Sequence, residues 1–270
     1  MKRLILWLGV SACLLPAPCA AQGKFTLEQV LSAPFPANLV TSQTGARLAW
    51  TFDMEGRRNI WVAEGPKFEA RELTSYSQDD GEELSELSFS ADGATIVYVR
   101  GEGKNSAGEY ANPTSNPTGV EQAVWAVKWS GGAPVKIDAG HSPVLSAKGV
   151  VAYAREGQIY LAALQSSDKP KHVAVRGKNE PVEWSPDGAG LLFVSDRGDH
   201  SFVGIYDANS QSVKYVSPSV DHDDNPVWSP DGKRIAFVRQ PAVTRDSPNG
   251  FFIEPDRSHP WAIWIADTET

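Results

Sequence analysis

The feature that most constrains this chain is a turn phrase that keeps returning. Pro226-Val227-Trp228-Ser229-Pro230-Asp231-Gly232 leads into Arg234-Ile235-Ala236-Phe237-Val238. Pro230 presets φ for a turn, Asp231 can bond nearby backbone, and Gly232 takes the positive φ that a Cβ resists. Ile235 and Phe237 then alternate with Arg234 and Ala236, the period of a strand with one buried face. Nearly the same phrase runs from Val182 to Gly188 before Leu191-Leu192-Phe193-Val194, and from Ser88 to Gly93 before Ile96-Val97-Tyr98-Val99. Weaker copies end at Gly149, before Val150-Val151-Ala152-Tyr153, and at Gly45, before Leu48-Ala49-Trp50. The turn glycines at 45, 93, 149, 188 and 232 stand 48, 56, 39 and 44 residues apart. A period near forty with several short strands per unit marks the blades of a β-propeller.

A second landmark keeps the same period. Aromatic strands follow each hairpin at Asn59–Val62, Ala123–Val127, Gln158–Leu161, Val203–Tyr206 and Trp261–Ile265. Most lead through a polar turn to a shorter fourth strand, such as Arg71–Thr74 or Val213–Val216. The expected fold is all-β, a propeller of four-stranded antiparallel blades over residues 38–270, with five blade starts and the last blade incomplete. A blade without its outer strand leaves an open edge, so poor ring closure and aggregation are expected of the isolated chain.

Residues 1–21 read as a secretion signal: Lys2 and Arg3, an apolar run from Leu4 to Leu15, and small residues before Gln22. A lipoprotein signal at Cys13 is the rival reading, less favoured because apolar sequence continues beyond it. Both cysteines, Cys13 and Cys19, fall inside this segment, so the mature chain must rely on its core rather than on disulfides. Residues 22–37 read as a short helix and linker, with Thr26 and Gln29 as a capping box over 25–33 and Pro34 and Pro36 as the stop. The formal charge of −8 becomes −10 without Lys2 and Arg3, which argues against nucleic acid and anionic membrane as partners.

Candidate chemistry is sparse. Insertions at 101–122 and 240–260 interrupt two blades at the same point, between the second and third strands, and should project from one face. Two acidic runs, Asp79-Asp80-Gly81-Glu82-Glu83 and Asp221-His222-Asp223-Asp224, occupy links from one blade to the next. They could form an acidic rim for a cation, but their spacing matches no metal loop, and solvated links are the preferred reading. Asp92, Asp187 and Asp231 recur with the hairpins, which points to turn stabilisation. Arg197-Gly198-Asp199 is too short to carry an adhesion reading, and His141, His172, His200, His222 and His259 form no zinc spacing. No Gly-x-Ser-x-Gly elbow, phosphate loop or mature cysteine is present. No catalytic, cofactor-binding or metal residue is assigned, and no cofactor is expected.

The Trp-Ser-Pro-Asp-Gly hairpins, with Ser195-Asp196-Arg197 leading to Ile205-Tyr206, resemble the repeats of two groups. One is the TolB-type propeller of the bacterial envelope. The other is the N-terminal propeller of prolyl oligopeptidase-family serine peptidases, including dipeptidyl-peptidase IV-like and acylaminoacyl-type enzymes. The repeat does not separate them. The helix passing directly into the first blade, the two insertions, and the phrases Arg57–Ala63 and Gln122–Trp125 look more like the peptidases, whereas the TolB type places an α/β domain first. The resemblance covers roughly residues 25–270. It implies an exported propeller that gates peptide access to a C-terminal α/β-hydrolase domain carrying a Ser, Asp and His triad, which these residues lack. Some members hold the substrate amine with propeller glutamates, but Glu82 and Glu83 lack the matching context and inherit no role. The alternative is a stand-alone TolB-like periplasmic propeller that binds protein partners.

Overall fold

The computed structural model describes residues 25–105, 107–109, 121–164, 166, 168–173, 175–241 and 261–268. The signal segment expected at 1–21 and most of both insertions lie outside them. Helix α1 (Leu27–Leu31) is shorter than the expected 25–33 and carries the capping box: Gln29 N donates to Thr26 Oγ1 and Thr26 N to Gln29 Oε1, each at 3.1 Å. It belongs to one compact unit, and the strands, from Pro34 onward, form another.

The strands fall into five antiparallel meanders. The first holds β1 (Phe35–Thr41), β2 (Arg47–Met54), β3 (Arg57–Glu64) and β4 (Arg71–Glu72). The second holds β5 (Leu84–Phe89), β6 (Thr95–Arg100), β7 (Ala123–Lys128) and β8 (Val135–Ala139). The third holds β9 (His141–Leu145), β10 (Val150–Arg155), β11 (Gln158–Ala163) and β12 (Lys171–Val173). The fourth holds β13 (Lys178–Trp184), β14 (Gly190–Asp196), β15 (Ser201–Asp207) and β16 (Ser212–Tyr215). The fifth holds β17 (His222–Trp228), β18 (Arg234–Gln240) and β19 (Ala262–Asp267) among the described residues. This is the expected all-β propeller architecture, each blade an up-and-down sheet in chain order. Blade one starts earlier than residue 38, because Pro34 and Pro36 keep the chain extended from Phe35 onward. Blades four and five touch edgewise through one parallel pairing, Ser201 with His222, reinforced by Ser201 Oγ donating to Asp223 O at 2.7 Å.

The hairpin chemistry explains the repeated phrase. In blade two, Ser90 Oγ donates to Asp92 Oδ1 at 2.6 Å, and Asp92 Oδ1 also accepts from Ala94 N at 2.9 Å. Ser185 with Asp187, and Ser229 with Asp231, repeat the serine contact at 2.5 Å each. The turn aspartates therefore hold turns, and the serine bond is the first cause that keeps each of their carboxyls below the ordinary aspartate range. In the weaker copies only the serine remains: Val150 N donates to Ser146 Oγ at 3.0 Å and Arg47 N to Ser42 Oγ at 3.1 Å.

Burial separates the blades into two kinds. In the middle blades the second strand is buried on both faces: Ile96–Val99, Val151–Ala154 and Leu191–Phe193 are all at 0% exposure. In blades one and five the same strand alternates, as β2 and β18 show. The alternation read at Ile235 and Phe237 thus belongs to a blade with one covered face, while a sandwiched blade reads as a continuous apolar run. Four cores join consecutive blades, centred on Ile60 and Tyr98, on Val97 and Tyr153, on Ala152 and Phe193, and on Leu192 and Phe237.

Candidate functional site

Chain direction fixes what each face can carry. Because the strands alternate in direction, the first-to-second and third-to-fourth turns share one face. The second-to-third loops and the links between blades share the other. The strand ends Arg100, Ala123, Gln240 and Ala262, which bound the two insertions, lie at this second face. So do both acidic runs.

The acidic runs are solvated links only in part: Asp79 and Asp224 are exposed, while other members have arginine partners. Asp80 pairs with Arg100, and Glu83 pairs with Arg58 at 3.1 Å, Arg58 also reaching Asp53 at 3.3 Å. Burial pushes the Glu82 carboxyl above its ordinary range. The second run is partly inside β17, where Asp223 is fully buried. Arg239 Nε donates to Asp223 Oδ1 at 2.6 Å and Nη2 to Oδ2 at 2.8 Å, a two-pronged bond, and Nη2 also donates to Ser217 O at 2.6 Å. A carboxylate withdrawn from water needs such a partner, which is why one member of an acidic run lies inside the protein. Among the described residues no group of three His, Cys, Asp or Glu side chains is placed to hold a metal ion.

These pairs belong to a system that the repeat obscured. Every blade sets an arginine near this face, and four of them lie on aromatic rings. Arg100 lies 4.5 Å from the Tyr76 ring, Arg155 3.9 Å from Tyr160, Arg197 5.5 Å from Phe202 and Arg239 4.5 Å from Trp264. Stacking of this kind orients a guanidinium and partly desolvates it. Arg155 also reaches Asp138 at 2.5 Å, and Tyr153 Oη donates to the same oxygen at 2.6 Å. Arg100, at the end of β6, and Arg239, one residue before the end of β18, each follow their turn glycine by the same distance, a signal that was present in the sequence. The carboxylates gave no such signal, because Asp80 comes from a link, Asp138 from an outer strand and Asp223 from an inner one.

The opposite face holds clefts of a different character. One of about 410 Å³ lies between the hairpin turns of blades four and five, against Trp228, Lys214, Asp187 and Asp231. Both aspartates are committed to serine and backbone partners there, so the cleft offers shape without a free catalytic acid. Another of about 520 Å³ lies between blades two and three and is lined by Val135, Ile137 and Leu164. In the first, Ser185 lies on Asp187, but that pair is taken up in closing the turn.

No protein-family model matches this sequence, and no curated protein matches it. Solved structures do match in shape. A TolB structure from Agrobacterium tumefaciens superposes with a TM-score of 0.53 at 18% identity, covering 87% of this chain and 78% of that one. One of two prolyl endopeptidases studied together gives 0.57 at 13% identity over 77% of this chain and 33% of its own. The acylaminoacyl peptidase of Pyrococcus horikoshii gives 0.53 at 14% over 76% and 35%. The chain thus spans about a third of each peptidase and most of this TolB structure. At such identities the likeness is one of fold. The fold is the β-propeller found in TolB and in prolyl oligopeptidase and acylaminoacyl peptidase structures.

Proposed function

We propose that this chain is the propeller part of an exported serine peptidase acting on short peptides, and that it gates and selects substrate for a hydrolase domain elsewhere in the complete protein. The observation that carries this reading is the asymmetry of the two faces. One carries the tight Ser-x-Asp-Gly turns; the other carries the stacked arginines, the blade links and the strand ends that bound both insertions. A face of aromatic rings and oriented arginine–carboxylate pairs suits peptide backbone and side chains. Export rests on the segment 1–21. Among the described residues no helix is long and apolar enough to cross a membrane.

A second reading, a TolB-like propeller that binds protein partners and catalyses nothing, is favoured by the 78% of the Agrobacterium TolB chain that this chain covers. The two readings diverge in one experiment. The product of the complete gene is treated with a serine-directed fluorophosphonate and offered chromogenic dipeptide amides. Covalent labelling together with cleavage is the expected result. A product that takes no label and leaves every amide intact overturns the peptidase reading in favour of the binding one.

A further inference from the structure

Each blade brings an arginine to the face of the blade links, and four of the five considered, Arg58, Arg100, Arg155 and Arg239, have a carboxylate partner. Arg197 breaks the series. Among the described residues no carboxylate pairs with it, and its bonds go to neutral oxygens. Nε donates to Ser195 Oγ at 3.1 Å and Nη2 to Tyr215 Oη at 2.8 Å. The guanidinium lies 5.5 Å from the Phe202 ring and 5.8 Å from the Tyr215 ring. Its stem lies against Gly177, where an added Cβ would come within 2.9 Å of both Cδ and Nε. The side chain is held from several sides and is half-buried.

The register shows how this arose. In blade five Asp223 stands directly across from Arg239; at the matching place in blade four Asn179 stands across from Ser195. Both members of the ion pair are replaced there, and the arginine comes two residues later, beyond the strand end. Asn179 is fully buried, and its Oδ1 has no hydrogen-bond partner although Nδ2 donates to Val175 O and Gly177 O. The neighbouring acids are engaged elsewhere. Asp196 Oδ1 accepts from Gly198 N at 2.7 Å, and Asp199 Oδ1 bonds His200 Nδ1 at 2.7 Å.

We propose that Arg197 is the receptor for a ligand carboxylate, the free C-terminus of a short peptide whose last side chain packs beside Phe202 and Tyr215. A guanidinium offers five N–H donors in a plane that matches a carboxylate, and stacking orients that plane before the ligand arrives. The choice of a peptide as carrier rests on the peptidase reading; the carboxylate site stands on the geometry of blade four.

The test is binding to this chain, measured by calorimetry with acetyl-Gly-Phe, its carboxamide, and inorganic phosphate. The free acid is expected to bind at least about tenfold more tightly than the amide, the loss of one charge-assisted hydrogen bond. Arg197→Gln should abolish that preference, and Arg197→Lys should restore only part of it. Near-ultraviolet circular dichroism and the melt show whether each variant stays folded, and the acid–amide comparison on the unaltered chain needs no variant. Equal binding of acid and amide, or a preference that survives Arg197→Gln in a folded protein, overturns the site. Phosphate binding more tightly than the acid overturns the assignment to a peptide carboxylate. Neither result depends on fluorophosphonate labelling of the complete gene product, so the peptidase reading and this site can fail separately.

Discussion

Asp223 and Arg239 show how much a single buried charge can decide. Their side chains are 0% and 8% exposed, so neither ion has water to fall back on. Asp223→Asn leaves the guanidinium buried beside an amide, and breaking such a pair costs about 3–5 kcal/mol. The urea midpoint should fall accordingly. Replacing both partners together, Asp223→Leu with Arg239→Met, should cost clearly less, because no unpaired charge remains. A double variant no more stable than the single one would sink this account. The turn aspartates act at a gentler level and reveal themselves by pH. The folded carboxyls of Asp92 and Asp187 lie below their ordinary 3.8, first because of the serine bonds and then because of backbone N–H donors. A depressed folded value means that the stabilisation is whole above the unfolded value and disappears as pH falls through the folded one. The melting temperature should therefore drop below about pH 4, and the triple change of Asp92, Asp187 and Asp231 to Asn should flatten that drop. Equal acid slopes in the two proteins would leave the turns without this role.

At the scale of elements, what was legible in the sequence was what is local. Ser-x-Asp-Gly closes its own turn through contacts a few residues apart, so three hairpins could be read directly, and two more from serine and glycine alone. The irregularities of the inner strands were not legible. Asn38, Glu86, Ser142 and Asn225 all take positive φ, at 55°, 53°, 52° and 52°, within or beside register shifts in β1, β5, β9 and β17. Asparagine, which tolerates this conformation, stands at two of them, but Glu86 and Ser142 do not announce theirs, so no one residue type marks the bulges. They also do packing work: Asn38 Nδ2 donates across to Leu84 O in the next blade at 2.9 Å. Strand pairing sets a further constraint at Gly204. It faces Phe193 across β14 and β15, and a Cβ there would lie 2.2 Å from the ring. Phe193 is fully buried between blades and has no room to retreat. Gly204→Ala should destabilise by about 1–3 kcal/mol through overpacking. A melt unchanged within error would show that the ring can move aside.

On the scale of the whole molecule, stacking decides which surfaces are finished. Clusters between consecutive blades bury every face of the middle blades, whereas Ile263 and Ile265 on β19 remain 65% and 66% exposed, and Trp261 61%. Every described third strand before β19 is paired on its outer side by β4, β8, β12 or β16. On β19 the described partner is β18 alone, and the strand carries its apolar residues beside a row of backbone donors and acceptors. Such an edge recruits further strands, from the same chain or from another copy, and a charge placed on it blocks that pairing at little cost to the fold. Any self-association of this chain is expected to run through β19. Ile265→Lys should raise the concentration at which this chain remains monodisperse in light scattering, while leaving its melting temperature within a few degrees, since the side chain buries little. If the lysine variant assembles at the same concentration as the parent, the association runs through another surface. The outward face of blade one, where Trp50, Phe52 and Trp61 pack edge to face with ring centroids 5.7 and 5.4 Å apart, is then the next to be charged.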